Sequence, residues 1–373
     1  MRAIGIILAG GASNRMTELT TKRATSALPI AGGYRSIDFA LSSMANSHIN
    51  KVAVFTQYNS KSLSQHLNSS KWWDFGRKQG GLYVFTPTQT QENNYWYRGT
   101  ADAIGQNIDF LKTSHEPYVV IASGDCVYKL DYNDVLRYHI DKNADITIVT
   151  KELGDEEDPS RFGVVSIDDN GLVTEFEEKP IVTSKNIVST GIYIIRRRQL
   201  IEMIERAGSE GGFDLVKDIF IRYRGLKKMY AYPMKAYWSN ITTISSYFKT
   251  NMDFLNRDIR DYFFNQYPVV NSKIEDLPPA KYNVGSSVTN SLVSSGCIIN
   301  GEVRNSILFK EVYVGNNCTI KNSLILNDVY IGDNTYIENC IVESHDTIRE
   351  NSSYIGDPES VRVVLEKNAR YVL

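Results

Sequence analysis

Gly10-Gly11, with Arg15 four residues beyond, is the first arrangement in this chain that could do chemistry. Residues 3–9 (AIGIILA) are continuously apolar and predict a buried strand that runs into the glycine turn. Glycines let backbone N–H groups approach phosphate oxygens, and an arginine adds a bidentate cation. No Gly-Lys-Ser/Thr follows, so this phosphate cradle is not a Walker A loop. Asp125, in Ser-Gly-Asp, closes a second predicted strand at 118–122, and a carboxylate at the carboxyl end of a strand suits a ligand. His48, His66, His115, His139 and His345 are scattered, with no metal-binding spacing. Cys126, Cys297, Cys318 and Cys340 form no Cys-x-x-Cys pair and are expected to be reduced and buried.

The elements that must position these residues change character along the chain. Predicted strands at 51–56, 118–122 and 145–150 alternate with helical patterns at 37–47, 60–67, 101–112 and 133–141, which argues for a parallel α/β sheet. Short strands around an Asp-Asp-Asn-Gly turn at 168–171 predict a hairpin, and helices are expected near 198–206, 214–222 and 242–255. The last third carries a repeat. Asn290-Ser291-Leu292-Val293 recurs at 305–308, 322–325 and, as Asn-Cys-Ile-Val, at 339–342. A period near 17 residues, with aliphatic positions about six apart, is one turn of a β-helix. The expected domains are therefore 1–245 (α/β), a proline-bearing linker at 246–285, and a β-helix at 286–373.

Composition narrows the partners. Against 43 acidic residues stand 41 basic ones, for a net charge of −2, which gives no bulk attraction to nucleic acid or an anionic membrane. No stretch reaches the ~18 apolar residues that span a bilayer, and no signal peptide is evident, so a cytoplasmic location is expected.

Longer segments carry a resemblance. TTKRATSALPIAGGYRSIDF (20–39), FTQYNSKSLSQHL (55–67), YWYRGTADAIGQN (95–107), ASGDCVYKLDY (122–132), FEEKP (176–180) and LPPAKY (277–282) resemble the sugar-1-phosphate nucleotidylyltransferases. The match is to the glucose-1-phosphate adenylyltransferase (ADP-glucose pyrophosphorylase) family of bacterial glycogen synthesis. It implies a nucleotide-diphospho-sugar transferase (Rossmann-like) domain followed by a left-handed parallel β-helix. It also implies that Gly10, Gly11 and Arg15 bind nucleotide, that Glu178, Lys179, Tyr97 and Arg98 serve the sugar phosphate, and that Asp125 holds Mg²⁺.

Four positions depart from the family pattern. Ser13 replaces the third glycine of Gly-Gly-x-Gly-x-Arg. Thr25 replaces the lysine of Arg-Ala-Lys-Pro, which serves the triphosphate. Asn240, in Tyr237-Trp238-Ser239-Asn240, replaces the second magnesium-binding aspartate, and Gly33 replaces a lysine that helps bind an anionic activator. An amide is a weaker Mg²⁺ ligand than a carboxylate, so the metal is expected to bind poorly or not at all. Arg15 and Asp125 are then remnants of the catalytic set. The implied function is a regulatory, catalytically weak or inactive subunit that activates a catalytic partner in a hetero-oligomer, expected to be a tetramer, and that senses a small anionic effector. The alternative is an active adenylyltransferase in its own right.

Overall fold

The computed structural model describes residues 2–11, 15–76, 80–90, 94–154 and 157–366. The chain divides into two compact units that do not follow its linear order. One comprises Met1–Gly11, Phe39–Ser60 and Leu67–Trp238, and the other Ala12–Asp38, Lys61–His66 and Ser239–Leu373.

The first unit is built on a nine-stranded sheet. Along its main path the order is Val173–Glu178, Gly163–Ile167, Ile187–Arg196, Tyr118–Ser123, Ala3–Leu8, Lys51–Phe55 and Gly81–Phe85. Ile146–Glu152 branches off Ile187–Arg196, and Met229–Pro233 pairs parallel to it. The apolar run at 3–9 forms its strand because both faces are covered: Ile4, Ile6 and Ile7 have no exposed surface. Gly5 is needed there, since a Cβ would lie 2.9 Å from Met44 Sδ and 3.0 Å from Val52 Cγ2.

Helices fall close to their expected places at Ser60–Leu67, Tyr132–Asp141 and Arg197–Ser209. The segment at 101–112 is instead two helices, Thr100–Gln106 and Ile108–Lys112. Asn107 breaks it by turning its amide back onto the Ala103 carbonyl (2.9 Å) and the Tyr97 hydroxyl (3.0 Å). The predicted hairpin is present: Gly171 takes φ +83° and donates its N–H to the Asp168 carbonyl at 2.9 Å. Gly81–Phe85 was not foreseen, because five apolar residues without alternation carry too little periodicity to separate strand from helix.

The second unit holds the left-handed β-helix, as three five-stranded parallel sheets. One sheet turns Ile299, Val314, Ile331 and Ile348 inward, and they stack on Val303, Ile320 and Ile337 of the next. The repeat now has a physical meaning. Asn290, Asn305, Asn322 and Asn339 take φ between +42° and +52°, which asparagine tolerates better than most residues. Their amides also bond from turn to turn, Asn290 Nδ2 to Asn305 Oδ1 at 2.8 Å and Asn305 Nδ2 to Asn322 Oδ1 at 3.1 Å. The residue after each asparagine forms an inner ladder: Ser291 Oγ accepts from Ser306 N–H, Ser306 Oγ from Ser323 N–H, and Ser323 Oγ from Cys340 N–H, each at 3.1 Å. All four cysteines are free and buried.

The remainder of this unit packs on the β-helix. Within 246–285 lie the end of the helix Ile244–Asp253, opened by a Thr243/Ser246 capping box, and the short helix Arg257–Arg260. The early segment around 23–33 is fastened at several points. Arg23 Nη2 donates to Glu343 Oε1 at 2.6 Å, Tyr247 OH to the Pro29 carbonyl at 2.7 Å, and Ser294 Oγ to the Gly32 carbonyl at 2.9 Å.

Candidate active site

Three parallel strands end in register, with Leu8 opposite Phe55 on one side and Ser123 on the other. From Ala3–Leu8 the chain crosses to Lys51–Phe55 and Gly81–Phe85, then returns to the opposite side at Tyr118–Ser123. The strand order reverses there, and the crevice beyond the carboxyl ends at such a point is where α/β sheets take ligands. Gly10-Gly11, Gln57 and Asp125 are carried on the segments that leave these three strands. Ala9 N–H is tied to the Phe55 carbonyl at 2.8 Å, and Gly124 N–H to the Leu8 carbonyl at 2.9 Å.

On one side of the crevice, a Cβ placed on Gly10 would lie 3.7 Å from Gln57, whereas one on Gly11 would meet nothing among the described residues within 4 Å. Neither glycine has a positive φ, so what Gly11 supplies is clearance above its backbone. Gln57 clamps Tyr97 at both ends of its peptide: Oε1 accepts the Tyr97 N–H at 3.0 Å, and Nε2 donates to the Tyr97 carbonyl at 3.2 Å. Sequence reasoning gave Gln57 no role. The available signal was a polar residue two positions past the end of a parallel strand.

Asp125, Glu178 and Lys179 lie on the other side. Asp125 Oδ1 accepts from Ser123 Oγ at 2.5 Å. Burial pushes its carboxyl up, while the Ser123 hydrogen bond and the positive charge of Lys179 pull it down. Glu178 is 15% exposed at its side chain and sits 3.3 Å from the Lys179 ammonium, which is 66% exposed. Burial also raises the Tyr193 phenol, which feels the charges of Glu178 and Asp214. A half-buried carboxylate with a projecting ammonium can bind the hydroxyls and the phosphate of a sugar phosphate. Arg98 is engaged elsewhere, bonded to Asp102 at 2.9 Å and lying 3.8 Å over the Phe213 ring.

A nucleotidyl transferase family model matches residues 4–257, and a GlmU-like C-terminal hexapeptide model matches 278–362. The glucose-1-phosphate adenylyltransferase of Clostridium botulinum (strain Alaska E43 / Type E3) is 41% identical over 321 residues, covering 85% of this chain and 83% of that protein. That of Bacillus subtilis (strain 168) is 38% identical over 323 residues, 86% of this chain and 84% of that one. That of Geobacillus stearothermophilus is 36% identical over 322 residues, 86% and 83% of the two chains. This chain belongs to the glucose-1-phosphate adenylyltransferase family.

The remaining candidate residues belong to the second unit. Position 25 is where the resemblance implies a lysine. Thr25 is instead 5% exposed and opens the 3₁₀ turn Thr25–Ala27. Two residues earlier, Arg23 is committed to Glu343 and Ser344. Arg15 is exposed, and Asn240 is half-buried at the end of the strand Trp238–Asn240. A Cβ on Gly33 would meet nothing among the described residues within 4 Å, so no packing seen there demands glycine at the place where the resemblance implies a lysine. Ser13 lies outside the described residues.

The donor set does not fit the two-carboxylate magnesium site of the adenylyltransferase pattern. Position 240 is a neutral amide, a weaker Mg²⁺ ligand than the second carboxylate of that pattern, and Asp125 is left as its one carboxylate. The histidines that the sequence left without a catalytic role include two buried ones. His139 bonds Thr147 at 2.8 Å, and burial lowers its pKa to about 4. His66 bonds Asp38 at 2.6 Å. No helix among the described residues is long and apolar enough to cross a membrane.

Proposed function

We propose that this chain is a regulatory subunit of glucose-1-phosphate adenylyltransferase, the enzyme that makes ADP-glucose and diphosphate from ATP and glucose 1-phosphate for glycogen synthesis. Its own site turns over weakly or not at all, and it acts by raising the activity of a catalytic partner in a hetero-oligomer. The observation that carries this reading is Thr25, a buried hydroxyl in place of an ammonium, with the neighbouring Arg23 held by Glu343 at 2.6 Å.

The chemistry explains why this matters. In nucleotidyl transfer a sugar-phosphate oxygen attacks the α-phosphorus in line and diphosphate leaves. Catalysis is then mostly positioning and neutralisation of growing negative charge. The clear backbone at Gly11 and the Glu178–Lys179 pair still suit binding of a nucleotide phosphate and a sugar phosphate. The groups that would stabilise charge at the leaving diphosphate are the ones replaced. Removing a single such group costs about 3–4 kcal/mol of barrier, or 10²–10³ in rate. Anionic effectors and the tetrameric assembly belong to this reading as well.

The test is ADP-glucose formation by the pure chain, alone and mixed with a catalytic relative. Little turnover alone, with a raised rate or an altered effector response in the mixture, is expected. Robust turnover alone would favour an independent enzyme that has kept Asp125, Glu178 and Lys179 for use, and would sink the regulatory reading. An unchanged partner rate would sink the assembly.

A further inference from the structure

The nine-stranded sheet ends in three strands, and two of them are guarded. Met229–Pro233 has its outer side taken: Gly171 accepts the Ala231 N–H at 2.8 Å, Tyr138 OH donates to the Ala231 carbonyl at 2.9 Å, and the strand closes on a proline. Val173–Glu178 carries Glu175, Glu177 and Glu178 and has an irregular register between Val173 and Glu175. Charges, bulges and prolines are how proteins keep sheet edges from pairing with other chains.

Gly81–Phe85 has none of these. Its sequence, GLYVF, contains no charge and no proline, and it lies last in the sheet. The Gly81 N–H donates to the Asn50 carbonyl at 2.8 Å, and the Phe85 carbonyl accepts from Thr56 N–H at 3.0 Å. Alternation then turns the peptide groups of Leu82 and Val84 outward, where no strand of the described residues pairs with them. Tyr83 is 40% exposed and Val84 37%. Lys51, opposite Gly81 on the neighbouring strand, is no gatekeeper. Its ammonium is held at 2.7 Å from Ser114 Oγ and 4.8 Å from the centre of the Phe110 ring.

We propose that this edge is an interface with a second copy of the chain, paired antiparallel about a two-fold axis at Tyr83. Such an edge is its own complement. Hydrogen-bonded pairs must join residues whose peptide groups point outward, so Leu82 meets Val84 of the second copy, and Val84 its Leu82. That makes four main-chain bonds from the two outward residues of each strand, and the neutral strand meets no like charge. Centring the axis on Leu82 or Val84 would leave the other's outward groups unpaired. With the axis at Tyr83, that residue faces itself across a non-hydrogen-bonded pair, with Cα atoms about 4.5 Å apart. The inference does not depend on whether the chain is catalytic.

Two measurements test it on the full chain. Light scattering should find the molar mass of Val84→Lys halved relative to wild type, with a far-ultraviolet circular dichroism spectrum that shows the chain still folded. Tyr83→Cys should form an interchain disulfide under mild oxidation, giving twice the chain mass on a non-reducing gel, because the pair distance lies within disulfide reach. Leu82→Cys should not, since its partner is Val84. The four native cysteines are buried and stay silent. A Val84→Lys chain of unaltered mass, a Tyr83→Cys chain that stays monomeric on the gel, or equal cross-linking through Leu82→Cys would each overturn the pairing.

Discussion

The two compact units have fared differently at the same set of family positions. Gly10, Gly11, Tyr97, Arg98, Asp125, Glu178 and Lys179, all of which match the pattern, belong to the unit built on the nine-stranded sheet. Thr25, Gly33 and Asn240, which do not, belong to the unit that contains the β-helix, where Arg15 and Arg23 stand as the pattern has them. On the function proposed above, the replaced groups are two ammonium ions and a carboxylate, and the retained ones are largely those that would shape the floor and the sugar-phosphate side. Side chains that neutralise a transition state can be replaced without loss of fold, because they are selected for rate rather than packing. Thr25 fits the point, being small and fully accommodated at 5% exposure.

The largest effect should come from reversing the change in the second unit. Thr25→Lys with Asn240→Asp is expected to raise ADP-glucose formation by the isolated chain by about 10³-fold, roughly 4 kcal/mol of barrier. Asp125→Asn added to that pair should abolish the gain, whereas Asp125→Asn in the natural sequence should leave stimulation of a catalytic partner unaltered. A double variant as silent as the starting chain would break the contrast between the units, since further losses would then have to lie among the residues that match.

A smaller but still large effect concerns how the eroded segment is held. Arg23 and Glu343 pair with side-chain exposures of only 12% and 6%. Breaking such a pair leaves a buried charge and costs about 3 kcal/mol. Burial holds the Glu343 carboxyl above its ordinary value of 4.5, and Arg23 is the chief influence that lowers it. Arg23→Ala lets it rise further. A raised folded-state value favours the protonated carboxyl, so the variant should lose least stability below about pH 4.5 and progressively more as pH climbs through the raised value. Melting temperatures between pH 4 and 8 should diverge from wild type in that direction, and Glu343→Gln on top of Arg23→Ala should remove the divergence. Parallel curves would mean that the pair does not fasten the segment.

The two units were also unequally legible. The β-helix could be read from sequence because one positive-φ corner recurs every turn and asks for asparagine each time, as at Asn305, Asn322 and Asn339, with a small hydroxyl or thiol behind it. The phosphate cradle at Gly10-Gly11 and the Asp125 position were legible because a parallel strand must end before a ligand can be met. What stayed hidden depends on contacts between segments distant in sequence. Neither the Gln57 clamp on Tyr97 nor the grip of Glu343, 320 residues away, on Arg23 leaves a local pattern. The units themselves interleave in sequence, so a linear boundary at 245 could not express that residues 15–38 group in one compact unit with the β-helix.

The smallest effect separates what the second unit has given up from what it must keep. Asn322 has φ +42° and bonds its neighbours in the amide ladder on both sides. Asn322→Ala loses those bonds and puts a Cβ in a left-handed conformation that costs about 1–2 kcal/mol, whereas Asn322→Gly loses the bonds alone. The alanine variant should therefore unfold at a lower urea concentration than the glycine variant, and both below wild type, with stimulation of a catalytic partner intact in native conditions. An alanine–glycine gap wider than the glycine–wild-type gap would mean that backbone conformation, more than the ladder, fixes asparagine at the corner. Were glycine to prove as costly as alanine, the ladder would be the dominant restraint, and asparagine would recur along the repeat for its amides rather than for its turns.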